Sequence, residues 1–126
     1  MADGGRGSFS VLVPAAQARA LLASALELLQ RDRAPHASVT LAVSQVAAAS
    51  TYLYQAEAKA RTLQAALQGI RAAAEHLDAA LRALNGLRAG RPDCEVAAAA
   101  IARASALLYP IVQASLRQRR GVHFAH

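Results

Sequence analysis

Apolar positions recur along most of this chain at steps of three and four residues, the spacing that lines up one face of an α-helix. After Pro14, which suits a first helical turn, Ala18, Leu22, Ala25, Leu26 and Leu29 keep that rhythm while Arg19, Glu27 and Arg31 take the opposite face. The pattern predicts an amphipathic helix over residues 14–32, ended by Asp32, Arg33, Ala34 and Pro35. From Ser38, a candidate N-cap, to Asn85 there is no proline and a single glycine, Gly69, so turn chemistry is lacking. One long helix is expected there, in preference to a form broken near Ser50 and Thr51 or at Gly69.

The seam of that helix reads Val39, Val43, Val46, Ser50 and Leu53, and later Leu63, Leu67, Ile70, Ala74, Leu77, Leu81 and Leu84. Joining the two sets through Ala56 and Ala60 puts consecutive three-residue steps around Leu53, a stammer that overwinds or bends a heptad seam. Asn85, Gly86 and Leu87 match a Schellman ending, with Gly86 left-handed. Asp93 then reads as an N-cap, and Ala97, Ile101, Ala104, Leu108, Ile111 and Ser115 form a third stripe. Pro110 lies inside it and predicts a kink near residues 106–110.

The fold class expected is therefore all-α: a long central heptad helix flanked by two shorter antiparallel helices, in a coiled-coil-like hairpin or bundle. At 1.5 Å per residue the long helix would span about 70 Å, against about 28 Å and 40 Å for its neighbours. Residues 1–13 read as a flexible N-terminal tail, 14–116 as the helical domain and 117–126 as a basic C-terminal tail. On the long helix, Arg61, Gln64, Gln68, Arg71, Glu75, Asp78 and Arg82 gather into one polar wall. Ala66, Ala73 and Ala80 form one flank, and Ala58, Ala65, Ala72 and Ala79 recur every seventh residue further round. One neighbour covers a stripe somewhat over 100° wide, so this surplus predicts a second neighbour from another chain.

Composition adjusts the picture without redirecting it. The hydrophobic share is 55%, but alanine is its largest part, and aromatic residues are only 4%, so large stacking anchors are scarce. A net charge of +6 invites polyanions, yet the arginines are scattered except at the end, where Arg117, Arg119 and Arg120 cluster. The single Cys94 excludes an internal disulfide framework and fits a reducing compartment. The N-terminal residues carry no signal-peptide pattern, and no charge-free apolar run approaches the length of a membrane span.

Candidate chemistry is sparse. Glu75 and Asp78 share the polar wall, while His76 points roughly 100° away from Glu75, so the three do not converge. His36, His123 and His126 have no cysteine or carboxylate at ligand spacing, so no metal site and no cofactor are expected. No serine sits in a nucleophile elbow, and an enzyme is disfavoured. Tyr52 and Tyr54 flank Leu53 near the stammer, where amphipathic rings fill a core or anchor a partner. The expectation is a non-enzymatic helical interaction or scaffold subunit of the cytoplasm or nucleus. It assembles with itself or with other helical subunits through Tyr52, Leu53, Tyr54, Ala58, Ala65, Ala72 and Ala79. The alternative is a weak nucleic-acid or anionic-surface binder acting through Arg117, Arg119 and Arg120.

Overall fold

A computed structural model of the chain describes residues 10–31, 36–87 and 91–124, with side chains as far as Arg117. Among the described residues there are four helices and no strand: α1 (Leu12–Gln30), α2 (Ala37–Ala58), α3 (Leu63–Leu84) and α4 (Pro92–Phe124). They form a helical bundle in which α1 packs on α2 and α4, and α3 packs on α2 and α4, so chain order runs around the ring. Arg19 meets Glu57, Gln45 meets His76 and Arg31 meets Asp93, the register of antiparallel neighbours.

The expected long helix is not formed. It is two helices of 22 residues each, folded back on one another at Lys59–Thr62, away from both Ser50 and Gly69. Lys59 leaves the helical region at φ −123°, ψ −16°, and its N–H and that of Ala60 both donate to the Gln55 carbonyl, at 2.9 and 3.0 Å. Thr62 is extended at φ −130°, ψ 156°, and its hydroxyl accepts from the Ala65 N–H at 3.0 Å. A threonine N-cap thus restarts the helix with neither glycine nor proline in the turn. The phase slip around Leu53 to Ala60 marks this turn. A continuous rod would leave each half one neighbour, whereas the hairpin gives α3 two, and burial decides between them.

The seams also differ from those expected. α2 buries Val39, Ala42, Val46, Ala49, Leu53 and Ala56, while Val43 and Ser50 are only partly covered. α3 buries Ala66, Ile70, Ala73, Leu77, Ala80 and Leu84, with Leu67 at their side. Ala66, Ala73 and Ala80, assigned above to a flank, lie at the centre, and Leu63 and Leu81 are displaced to its edge. α1 follows the same rule with Ala18, Leu22, Ala25 and Leu29, and α4 with Ala97, Ile101, Ala104 and Leu108. In every helix a small residue alternates with a large aliphatic one, so opposing layers interdigitate and the helices approach closely. Of the alanine surplus that called for another chain, Ala66, Ala73 and Ala80 are covered within the bundle, whereas Ala58 and Ala65 stay exposed and Ala72 and Ala79 are half-buried.

Gly69 belongs to the same close packing. A Cβ there would stand 3.1 Å from the Tyr52 carbonyl oxygen and 3.4 Å from Cβ of Ala56, so the glycine lets α3 approach the α2 backbone. Helix ends depart from expectation too. α1 begins at Leu12, within the segment assigned to a tail, whose residues 1–9 lie outside the described residues, as do residues 32–35 and 88–90. His36, not Ser38, caps α2, its Nδ1 accepting from the Ser38 N–H at 3.0 Å. α3 closes without a left-handed Gly86: Asn85 N–H donates to the Arg82 carbonyl at 3.3 Å and Leu87 N–H to the Leu84 carbonyl at 3.0 Å. Pro92 opens α4 with Asp93 and Glu95 in its first turn, and the helical backbone runs through Pro110 to Phe124. Residues 117–124, expected to lie outside the helix, continue it.

Candidate interaction surface

Leu53 faces the bundle interior and is fully buried, so its neighbours Tyr52 and Tyr54 splay to the two sides of α2. On the α1 side, the Arg19 guanidinium lies 5.5 Å from the centre of the Tyr54 ring. The same guanidinium donates twice to Glu57, from Nε at 2.6 Å and Nη2 at 3.1 Å. This hydrogen bond raises the Arg19 pKa above the usual arginine value. On the α3 side, Tyr52 stacks on His76 with ring centres 5.5 Å apart and an interplanar angle of 16°. His76 Nδ1 is hydrogen-bonded with Gln45 Oε1 at 2.6 Å.

Of the residues expected to meet a partner, the structure brings several together and withdraws one. Two shallow clefts run along the α2–α3 face with Tyr52 between them. One, of about 400 Å³, is lined by Ala65, Gln55, Lys59 and Gly69. The other, of about 570 Å³, is lined by Ala72, Ala79, Glu75, His76, Asp78 and Arg82. Tyr52, Ala65, Ala72 and Ala79 therefore share one trough, Ala58 is exposed, Tyr54 is held under Arg19, and Leu53 is out of reach of any partner. His76, expected to point away from the wall that Glu75 and Asp78 share, lines one cleft with them because α2 closes it from the other side. Among the described residues no group of three histidine, cysteine or carboxylate side chains is placed to hold a metal ion.

The sequence reading missed a second surface. α4 carries one charge, Arg103, between Val96 and Leu116, and the residues it turns to solvent include Val96, Ala99, Ala102, Ala106, Tyr109 and Pro110. Val96 is 55% exposed and Tyr109 63%. On α1, which packs beside α4, Val13, Ala16, Ala20 and Ala23 are exposed in turn. A cavity of about 280 Å³ lies between the two helices, lined by Leu21, Arg103, Ala106 and Leu107. By length and composition α1 and residues 92–117 of α4 are apolar enough to cross a membrane, and 28% of either window is buried in the bundle. The charge-free-run criterion applied to the sequence overlooked them because Arg19, Glu27 and Arg103 interrupt the runs. The available signal was the near-absence of charge across α4, obscured by the many alanines.

No family model, no curated protein and no solved structure matches this chain. The surfaces themselves are what bears on function.

Proposed function

We propose that the protein is a non-enzymatic helical interaction subunit that assembles through the outer face of α4 and its neighbour α1. One observation carries the reading: α4 is apolar on its solvent face as well as on its core face, with Val96, Ala99, Ala102, Ala106 and Tyr109 exposed. A helix apolar on all sides is ordinarily enclosed by other protein or by a membrane, and a contiguous exposed apolar face marks an interaction site. The α2–α3 trough around Tyr52 is a lesser candidate, because the polar residues of α3 line it. A photo-crosslinking residue at Ala102, expressed in the native source, should form protein adducts, and the same residue at Gln64 on the polar wall should not. Absence of adducts from Ala102 would defeat the reading.

A second reading, of an anionic surface contacted through the basic end of the chain, is favoured by the extension of α4. At 33 residues it exceeds α2 and α3 by eleven, about 16 Å, and this stretch carries Arg117, Arg119 and Arg120 on helical backbone. Phosphate contacts there predict salt-sensitive binding to anionic vesicles or nucleic acid that is lost on removing residues 117–126. Binding indifferent to that truncation would reject it.

A further inference from the structure

The outer stripe of α4 has a symmetry that neither its burial nor its composition requires. On a helix of 3.6 residues per turn, Glu95, Ala99, Ala102, Ala106, Pro110, Gln113 and Arg117 all fall within about 40° of the direction set by Ala106. Ala106 is the midpoint: Glu95 lies eleven residues before it and Arg117 eleven after, each about 16 Å away along the axis. Between them the stripe is apolar or small apart from Gln113, and its residues are exposed save Gln113, which is partly covered. Among the described residues neither Glu95 nor Arg117 has a side-chain partner, in contrast to Arg19 with Glu57 and Arg31 with Asp93.

We infer that this stripe is the contact by which the protein pairs with a second copy of itself, two α4 helices crossing antiparallel at Ala106. A two-fold axis at Ala106 sets Glu95 of each copy against Arg117 of the other, closing two ion pairs at the ends of an apolar seam. It also brings Arg103 of one copy level with Tyr109 of the other. Alanine at 99, 102 and 106 keeps the seam shallow, so the two backbones approach closely. A parallel arrangement would set Glu95 against Glu95 and Arg117 against Arg117, so charge selects the orientation. A lipid surface has no counterpart for Glu95, which its anionic headgroups would repel.

This inference rests on the interaction reading above and names its partner. In light scattering the full chain should show twice its own mass at roughly 100 µM. Ala106→Glu, at an exposed position, should return the monomer with helicity unchanged by circular dichroism, since it sets two carboxylates together at the axis. Glu95→Arg and Arg117→Glu should each raise the dimer dissociation constant about tenfold, and the double reversal should restore it, because each swap exchanges the partners of both pairs. A wild-type chain that stays monomeric overturns the inference, as does flotation of the monomer with phosphatidylserine vesicles. A dimer indifferent to Ala106→Glu, or two reversals that fail to rescue each other, overturns it too. Crosslinking from Ala102 to a different protein by a chain that is monomeric alone would defeat self-pairing and leave the interaction reading standing.

Discussion

α3 and α4 bury the same kind of core face and differ almost entirely in what they turn to solvent. α3 sets Ala66, Ala73 and Ala80 between Ile70, Leu77 and Leu84 on the inside, and Gln64, Gln68, Glu75, Asp78 and Arg82 on the outside. α4 sets Ala97 and Ala104 between Cys94, Ile101 and Leu108 on the inside, yet outside it shows Val96, Ala99, Ala102, Ala106, Tyr109 and Pro110. The four-helix core needs only one apolar stripe from each helix, and α3 supplies no more than that. What α4 supplies beyond it is surplus to folding. The difference separates the faces that the bundle covers from the one apolar face that it leaves open, where the proposed contact is placed.

Substitutions at matched positions can break that comparison or sharpen it. The largest effects should fall on the inner faces, where the helices are equivalent: Leu77→Ala on α3 and Leu108→Ala on α4 should each cost about 2–5 kcal/mol, read as a shift in urea midpoint. A markedly smaller cost at Leu108 would mean that α4 is not anchored as α3 is. Next comes the α2–α3 contact at Gly69. Alanine there gains about 1 kcal/mol of helix propensity, but its Cβ would press on the Tyr52 carbonyl oxygen 3.1 Å away, a backbone atom that cannot swing aside. Gly69→Ala should therefore lower the melting temperature, and a rise would show that the helices stand further apart.

Thr62→Ala should cost about 1 kcal/mol, because the Ala65 N–H loses its cap at the turn that divides α2 from α3. A neutral result would mean that the turn is held by packing alone. Arg19→Ala removes a partly exposed pair with Glu57 and the contact with Tyr54, and about 0.5–1 kcal/mol should go with it. The smallest effects should be on the outer faces: Ala102→Lys on α4 and Gln64→Lys on α3 should each change thermal stability by no more than about 0.5 kcal/mol. Only the α4 change should alter the mass in light scattering. Equal behaviour of the two in that measurement would erase the distinction between these helices.

Much of the fold was legible in the chain and part of it was misread for an identifiable reason. The polar wall of α3 and the stripe of α4 follow from three- and four-residue spacing. Heptad spacing anchored on the large aliphatic residues centres the seams of α2 and α3 on Val43, Ser50, Leu63 and Leu81, whereas the bundle centres them on Ala42, Ala49, Ala66 and Ala80. Alanine carries little signal in a pattern read by size, although at a close helix contact it is the residue that fits. That Ala65, Ala72 and Ala79 share a face follows from their seven-residue spacing, and Tyr52 stands out by its place beside Leu53, whereas the ring stack of Tyr52 on His76 needs α2 and α3 side by side.

What the amino-acid sequence determined alone is local: helical backbone over most of the chain, a polar wall on residues 61–82, and an apolar repeat in every segment. Those properties depend on neighbours within a turn or two, which the spacing of side chains reports directly. That residues 38–85 fold back at Lys59–Thr62, that the central alanines meet one another, and that the second apolar face of α4 stays uncovered were decided by tertiary packing. Four helices around one core offer each helix two neighbours, and which faces those neighbours cover is a balance of burial across the whole chain that no single segment contains.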